Sequence, residues 1–170
     1  MLLDFSFYPK YARAIRNVGV KMKPSQFIGR EAEMTRLKGL LEKKSASLIV
    51  VRGRRRIGKS RLLSEFGKEM KSYFFSGNPP VRKTTAQTQR NDFARQLERA
   101  GIPGVKPDDW SNLFWYLSKE TKKGRVLIVF DEISWMGGKD PHFLGHLKTA
   151  WDMYFNKNPQ INIALGGAEY

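Results

Sequence analysis

Residues 48–63 read LIVVRGRRRIGKSRLL, an apolar run that passes through a basic, glycine-bounded loop into a helical pattern. Within this stretch Gly53, Gly58, Lys59 and Ser60 match the pattern G-x-x-x-x-G-K-[ST] of the phosphate-binding P-loop. Glycines let the backbone turn tightly and approach a phosphate, and the N–H groups that start the following helix point toward the anion. The match also has the context that it requires, because β-branched residues precede it and a helix is predicted after it.

The pattern assigns chemistry to its polar side chains. We expect Lys59 to reach the β and γ phosphates of a nucleotide, and Ser60 to offer its hydroxyl oxygen to the Mg²⁺ ion that accompanies the nucleotide. The alternative is a basic turn between a strand and a helix that matches by accident. The predicted nucleotide-binding loop comprises Gly53, Arg54, Arg55, Arg56, Ile57, Gly58, Lys59, Ser60 and Arg61.

Length and composition indicate one folded domain. Of the 170 residues, 41% are apolar and 28% are charged, which is typical of a globular protein and not of a disordered segment. The absence of cysteine excludes disulfides and cysteine-based redox or metal chemistry, and it is compatible with a reducing cytoplasm. The longest apolar runs, at 48–51 and 126–130, are too short to cross a bilayer. We therefore expect a cytoplasmic protein without a membrane span.

Basic residues outnumber acidic residues by 31 to 16, which gives a net charge of +15 at pH 7. Such an excess favours polyanions, either a nucleotide locally or nucleic acid or an anionic membrane over a wider surface. For the basic residues outside the P-loop, a solvated surface and a nucleic-acid-binding face are both open. The basic residues in or beside the P-loop, whose charge a bound polyphosphate would offset, are Arg52, Arg54, Arg55, Arg56, Lys59 and Arg61.

The rest of the chain predicts an α/β fold. Residues 1–23 are interpreted as a basic, loosely ordered extension without a secretory signal, and residues 24–170 as the domain. Strand 47–52 shows no polar alternation, so we expect it to be buried on both faces. The aromatic cluster of the helix that starts at Trp110 is interpreted as core. Strands are predicted at 47–52, 73–76, 126–130 and 161–165, and helices at about 31–41, 59–71, 86–100, 110–122 and 141–155.

Asp131 and Glu132 follow the apolar strand 126–130 at its carboxyl end, where open α/β sheets bind their ligands. Two acids in that position are energetically unfavourable unless they are used. In a P-loop ATPase they form the Walker B pair, in which Asp131 holds Mg²⁺ and Glu132 orients and deprotonates the attacking water. We therefore predict that Lys59 and Glu132 are catalytic and that Ser60 and Asp131 bind the metal ion.

Three segments, FIGREAEM at 27–34, GRRRIGKS at 53–60 and VLIVFDEISWM at 126–136, together resemble the prokaryotic archaeal-type ATPases, relatives of the AAA+ and STAND ATPases. The resemblance runs from about Pro24 to the end of the sequence. It implies an ATP-dependent, Mg²⁺-dependent hydrolase with a three-layer α/β/α fold. In that fold the mostly parallel sheet has the order 5-1-4-3-2, counted along the family's chain.

The resemblance also implies contacts outside the two motifs. After the fourth strand the family usually carries a polar sensor of the γ-phosphate, and here Ala168 stands in place of the usual serine. A fifth strand and a C-terminal lid complete the family's domain. We therefore expect an incomplete domain in which strand 47–52 forms an exposed hydrophobic edge. The segment that would lie beside the adenine comprises Phe27, Ile28, Gly29 and Arg30.

The sequence thus predicts an ATPase that binds ATP and Mg²⁺ and releases ADP and phosphate. The alternative is a nucleotide-gated DNA-binding module that hardly turns ATP over. Glu132 favours the enzyme, whereas Ala168 and the missing lid favour the module. The oligomeric state, including a homo-oligomer, stays open.

Overall fold

The computed structural model describes residues 1–4, 29–54 and 56–167. One five-stranded sheet contains β1 (Leu2–Asp4), β2 (Ser47–Arg52), β3 (Lys71–Ser76), β4 (Val126–Asp131) and β5 (Ile161–Gly166). The helices are α1 (Glu31–Leu40), α2 (Lys59–Phe66), α3 (Ala86–Arg99), α4 (Trp110–Lys119), α5 (Ile133–Gly137) and α6 (Phe143–Met153), with 3₁₀ turns at Gly67–Glu69 and Phe155–Lys157.

The strand order is β1-β2-β5-β4-β3, and every neighbouring pair is parallel. The run β2-β5-β4-β3 confirms the predicted order 1-4-3-2. Because all strands point the same way, their carboxyl ends meet at one edge of the sheet. Val51 lies opposite Gly166, and Phe130 lies opposite Leu165, so the loop after β2 and the acid at the end of β4 flank the end of β5. The parallel register therefore places the predicted site residues at the ends of three adjacent strands.

The outer side of β2 is covered by β1, so the prediction of an exposed hydrophobic edge is wrong. Leu3 pairs with Val51 and is buried, and the N–H of Val50 donates to the carbonyl of Met1 at 2.7 Å. An unpaired apolar strand edge is a template for another strand, and β1 supplies one whose Leu3 side chain also enters the core. The interpretation of residues 1–23 as a loosely ordered extension is therefore wrong for Leu2–Asp4.

Helices cover both faces of the sheet, although not equally. On one face α1 and α2 pack over Ile49 and Val51. On the other face α3, α4 and α6 enclose an aromatic core, in which Phe93 lies 4.7 Å from Phe75 and 5.4 Å from Trp110 between ring centroids. This confirms that the aromatic residues of the 110–122 helix belong to the core.

The prediction that β2 is buried on both faces is only partly right. Ile49 and Val51 are fully buried, but Leu48, whose side chain points to the opposite face, is 40% exposed. The helices of the aromatic core pack over β3, β4 and β5 and leave the β1–β2 side of that face partly open, where Leu2 is also exposed. An apolar run in the sequence does not show which helices will cover each face of the strand.

Apart from β1, the largest differences from the predicted elements are one shorter helix and one additional helix. The helix after the P-loop ends at Phe66 and passes through a 3₁₀ turn, because β3 already begins at Lys71. The short helix α5, which directly follows Glu132, was not predicted, because one and a half turns are too short to show a period.

Candidate active site

The loop between β2 and α2 wraps around its own lysine. Lys59 is the first residue of α2 and is 8% exposed, and its Nζ donates to the carbonyls of Gly53 at 2.6 Å and Arg54 at 2.8 Å. The left-handed conformation of Gly58, with φ 88°, is one that glycine adopts without strain. Arg56 has a positive φ of 62° although it carries a side chain, the kind of backbone strain that clusters at functional sites.

The two predicted metal ligands are in contact. The hydroxyl of Ser60 donates to Oδ2 of Asp131 at 2.6 Å, across 71 residues of sequence. The other carboxylate oxygen, Oδ1, accepts the backbone N–H of Glu132 at 3.0 Å. A hydroxyl and a carboxylate are the oxygen donors that Mg²⁺ uses in nucleotide sites, so this donor set fits that ion.

Glu132 occupies the junction between β4 and α5. Its backbone is left-handed, with φ 51° and ψ 46°, and its carbonyl accepts the N–H of Trp135 at 2.9 Å in the first turn of α5. For a residue with a long side chain this conformation is unusual and marks strain. The side chain is half-buried and lines the same cleft as Lys59.

A single open cleft of about 610 Å³ collects these groups. Its volume is within the range of small-molecule sites. Three of its lining side chains are cationic and two are carboxylates, which suits a polyphosphate that arrives with a divalent cation. The lining residues are Arg56, Gly58, Lys59, Ser60, Arg61, Asp131 and Glu132.

Two glycines that sequence reasoning did not single out lie close against the acid pair and leave no room for a side chain. A Cβ on Gly166 would lie 2.9 Å from Oδ1 of Asp131. A Cβ on Gly77 would lie 2.6 Å from the carbonyl oxygen of Glu132 and 2.6 Å from the amide nitrogen of Met136. Gly77 follows β3 and Gly166 ends β5, and both strands lie beside β4. The sequence places both glycines at strand ends, but their close contacts with the acid pair could be seen only once the strand order was known.

Half of the segment predicted beside the adenine lies against the P-loop. The guanidinium of Arg30 donates to the carbonyl of Ile57 and lies 3.5 Å from Oε1 of Glu33. Gly29 and Arg30 both have positive φ, which turns the chain sharply into α1. The predicted site residues Phe27, Ile28 and Arg55, and the sensor position Ala168, lie outside the described residues.

This parallel sheet, with a lysine-bearing glycine loop after β2 and an acid at the end of β4, defines the class of Walker-type P-loop proteins. Residues 27–165 match a family of ATPase domains that come predominantly from Archaea, and the chain belongs to that family.

The chain is similar in fold to a Walker-type ATPase of Pyrococcus abyssi, with 19% identity and a TM-score of 0.57. The match covers 85% of this chain and 46% of that one, so the sequence spans less than half the length of that structure. No curated protein matches the chain. Among the helices that the structure describes, none has the length and apolar character to cross a bilayer.

Proposed function

We propose that the protein binds ATP together with Mg²⁺ and hydrolyses it to ADP and phosphate. The observation that supports this most directly is the convergence of Lys59, the Ser60–Asp131 pair and Glu132 on one cleft. These groups come from two loops that are 71 residues apart, and together they supply a cation, two metal-binding oxygens and a base.

Substrate binding in this proposal uses the P-loop. Lys59 donates to two neutral carbonyls, and phosphate oxygens form stronger, charge-assisted bonds with an ammonium group. The N–H groups that start α2 add donors and a favourable helix dipole. Ser60 and Asp131 would hold Mg²⁺, which when bound screens the phosphate charge and helps to orient the β and γ phosphates.

Glu132 acts as the base in this proposal. Its carboxylate accepts a proton from a water molecule whose oxygen forms a bond to the γ phosphorus. The bond between the γ phosphorus and the β–γ bridging oxygen breaks, and the electron pair leaves with ADP. The ammonium of Lys59 stabilises the charge that spreads over the phosphate oxygens. The half-buried position of Glu132 beside Asp131 is consistent with this task.

The experiment is single-turnover ATP hydrolysis by the parent chain and by Glu132→Gln, which keeps the side-chain size but removes the base. We expect the variant to lose about 100-fold or more in rate, as for loss of a general base, while ATP affinity stays within about twofold. Glu69→Gln, an exposed glutamate before β3, is the matched control and should keep the parent rate.

Each result discriminates between hypotheses. If Glu132→Gln hydrolyses ATP as fast as the parent, Glu132 is not the base. If the parent chain does not bind ATP, the proposal fails entirely. If the parent binds ATP but forms no ADP with Mg²⁺ present, the nucleotide-gated binding module replaces the enzyme.

A further inference from the structure

The edge of the sheet opposite the active site carries a separate group of cations. Since all strands are parallel, the turns that precede them meet at this edge. Six basic side chains lie in the turns before β2, β4 and β5, and all six are exposed. Among the described residues none of the six forms an ion pair. We call this set the basic edge: Lys43, Lys44, Lys122, Lys123, Arg125 and Lys157.

Hydrogen bonds fix the turns of the basic edge to one another. The side-chain amide of Asn158, a residue that is 3% exposed, donates to the carbonyls of Thr121 at 2.9 Å and Gly124 at 3.0 Å. It therefore ties the turn that carries Lys157 to the turn that carries Lys122 and Lys123. Four of the six cations are thus presented from turns that are joined by hydrogen bonds.

The third turn of the basic edge, before β2, lies beside the turn before β4. A narrow cleft is lined by both Lys43 and Arg125, which brings the turn before β2 to the turn before β4. The two strands are separated by β5, so the row spans at least two strand spacings, about 10 Å. A row of this length matches a linear polyanion better than a single phosphate group.

Acidic residues at this edge leave an excess of positive charge. Glu120 pairs with Lys71 at 3.4 Å, and these two offset each other. Interaction with Tyr73, and to a lesser extent with Glu120, raises the pKa of Lys71, so its ammonium group carries a positive charge at neutral pH. The other exposed carboxylates at this edge are Glu42, in the turn before β2, and Glu69, in the turn before β3. Six cations against two unpaired acids leave a local charge that a nucleic-acid backbone would neutralise.

We propose that the basic edge binds the sugar–phosphate backbone of double-stranded DNA without sequence preference. Each strand of duplex DNA carries one phosphate per ~3.4 Å of axis, so a row of about 10 Å can meet about three phosphates of one strand. Proteins that prefer single strands combine cations with exposed aromatic rings for base stacking. The turns at 41–46, 120–125 and 157–160 contain no aromatic residue, which favours backbone contacts to a duplex.

The test is fluorescence anisotropy of a labelled DNA duplex of about 20 base pairs, roughly two helical turns, with the full chain. The titration is carried out without nucleotide over a range of salt concentrations. We expect K122Q/K123Q/R125Q to weaken binding at least about tenfold and to reduce the slope of log K against log salt by about 2–3. The matched control is R82Q/K83Q/K106Q, which removes the same charge from exposed loops away from the basic edge. It should change affinity by less than about threefold.

A charge-conserving variant, K122R/K123R/R125K, should bind like the parent, and its recovery excludes misfolding as the cause of the loss. Equal losses in the test and control variants would mean diffuse attraction by net charge and would overturn the proposal. So would failure of the parent to bind the duplex at low salt, or a clear preference for single strands. Because ATP is absent, these results are independent of the proposed hydrolysis.

Discussion

The two edges of the sheet carry positive charge in different ways. At the carboxyl edge Lys59 is almost fully buried, its ammonium is fixed by two carbonyls, and the Asp131 carboxylate in the same cleft accepts the backbone N–H of Glu132. At the amino edge the six cations of the basic edge are exposed, and none of them forms an ion pair within the part of the chain that the structure describes. A buried, oriented charge selects one geometry, whereas exposed lysines give long-range attraction that salt screens. Net charge alone does not distinguish a catalytic site from a docking surface.

The largest expected effect comes from removing the fixed charge. Lys59→Ala should lower ATP affinity by about 100-fold, since it removes the buried, charge-assisted donor at the start of α2. Titration with a fluorescent ATP analogue measures it. Lys122→Ala, at the amino edge, is the control and should leave ATP affinity unchanged. If Lys59→Ala binds within about twofold of the parent, or if both variants lose affinity alike, the distinction between the edges breaks down.

Gly77→Ala should destabilise the fold by about 2 kcal/mol, because its Cβ would collide with the backbone of Glu132 and Met136 and neither can move freely. Urea unfolding followed by circular dichroism gives the free energy. Gly145→Ala is the matched control: its Cβ meets nothing within 4 Å inside α6, so the variant should gain stability. Equal stability of Gly77→Ala and the parent would show that the carboxyl edge is looser than the contacts indicate.

A smaller and more specific effect is expected at Gly166. Gly166→Ala places a Cβ 2.9 Å from Oδ1 of Asp131 and should displace the carboxylate that we propose as a ligand of Mg²⁺. The enhancement of ATP affinity by Mg²⁺ should fall about tenfold, while affinity without Mg²⁺ changes little. Isothermal titration with and without Mg²⁺ separates the two. Gly167→Ala, with nothing within 4 Å, should behave like the parent. An equal loss of ATP affinity with and without Mg²⁺ would contradict the proposed role of Asp131 as a metal ligand.

The sequence was most informative where one residue type has one physical use. Gly58, Lys59 and Ser60 identified the loop because phosphate binding needs a close backbone, a cation and a hydroxyl at fixed spacing. β4 was found because its burial is continuous, and Asp131 and Glu132 because acids after such a strand are rare without a function. The four-strand order β2-β5-β4-β3 was predicted by family resemblance and confirmed.

Tertiary structure decided what depends on residues far apart in the chain. The pairing of β1 with β2 could not be seen, because three residues carry too little pattern and their partner lies more than 40 residues away. The exposure of Leu48 depends on where α3, α4 and α6 pack, and the tight contacts of Gly77 and Gly166 depend on which strand ends lie side by side. The basic edge likewise exists only because parallel strands bring three separate turns together. The sequence by itself predicted the loop and the acid pair, since local spacing encodes both motifs, and the packing of the sheet decided which distant residues lie in one cleft.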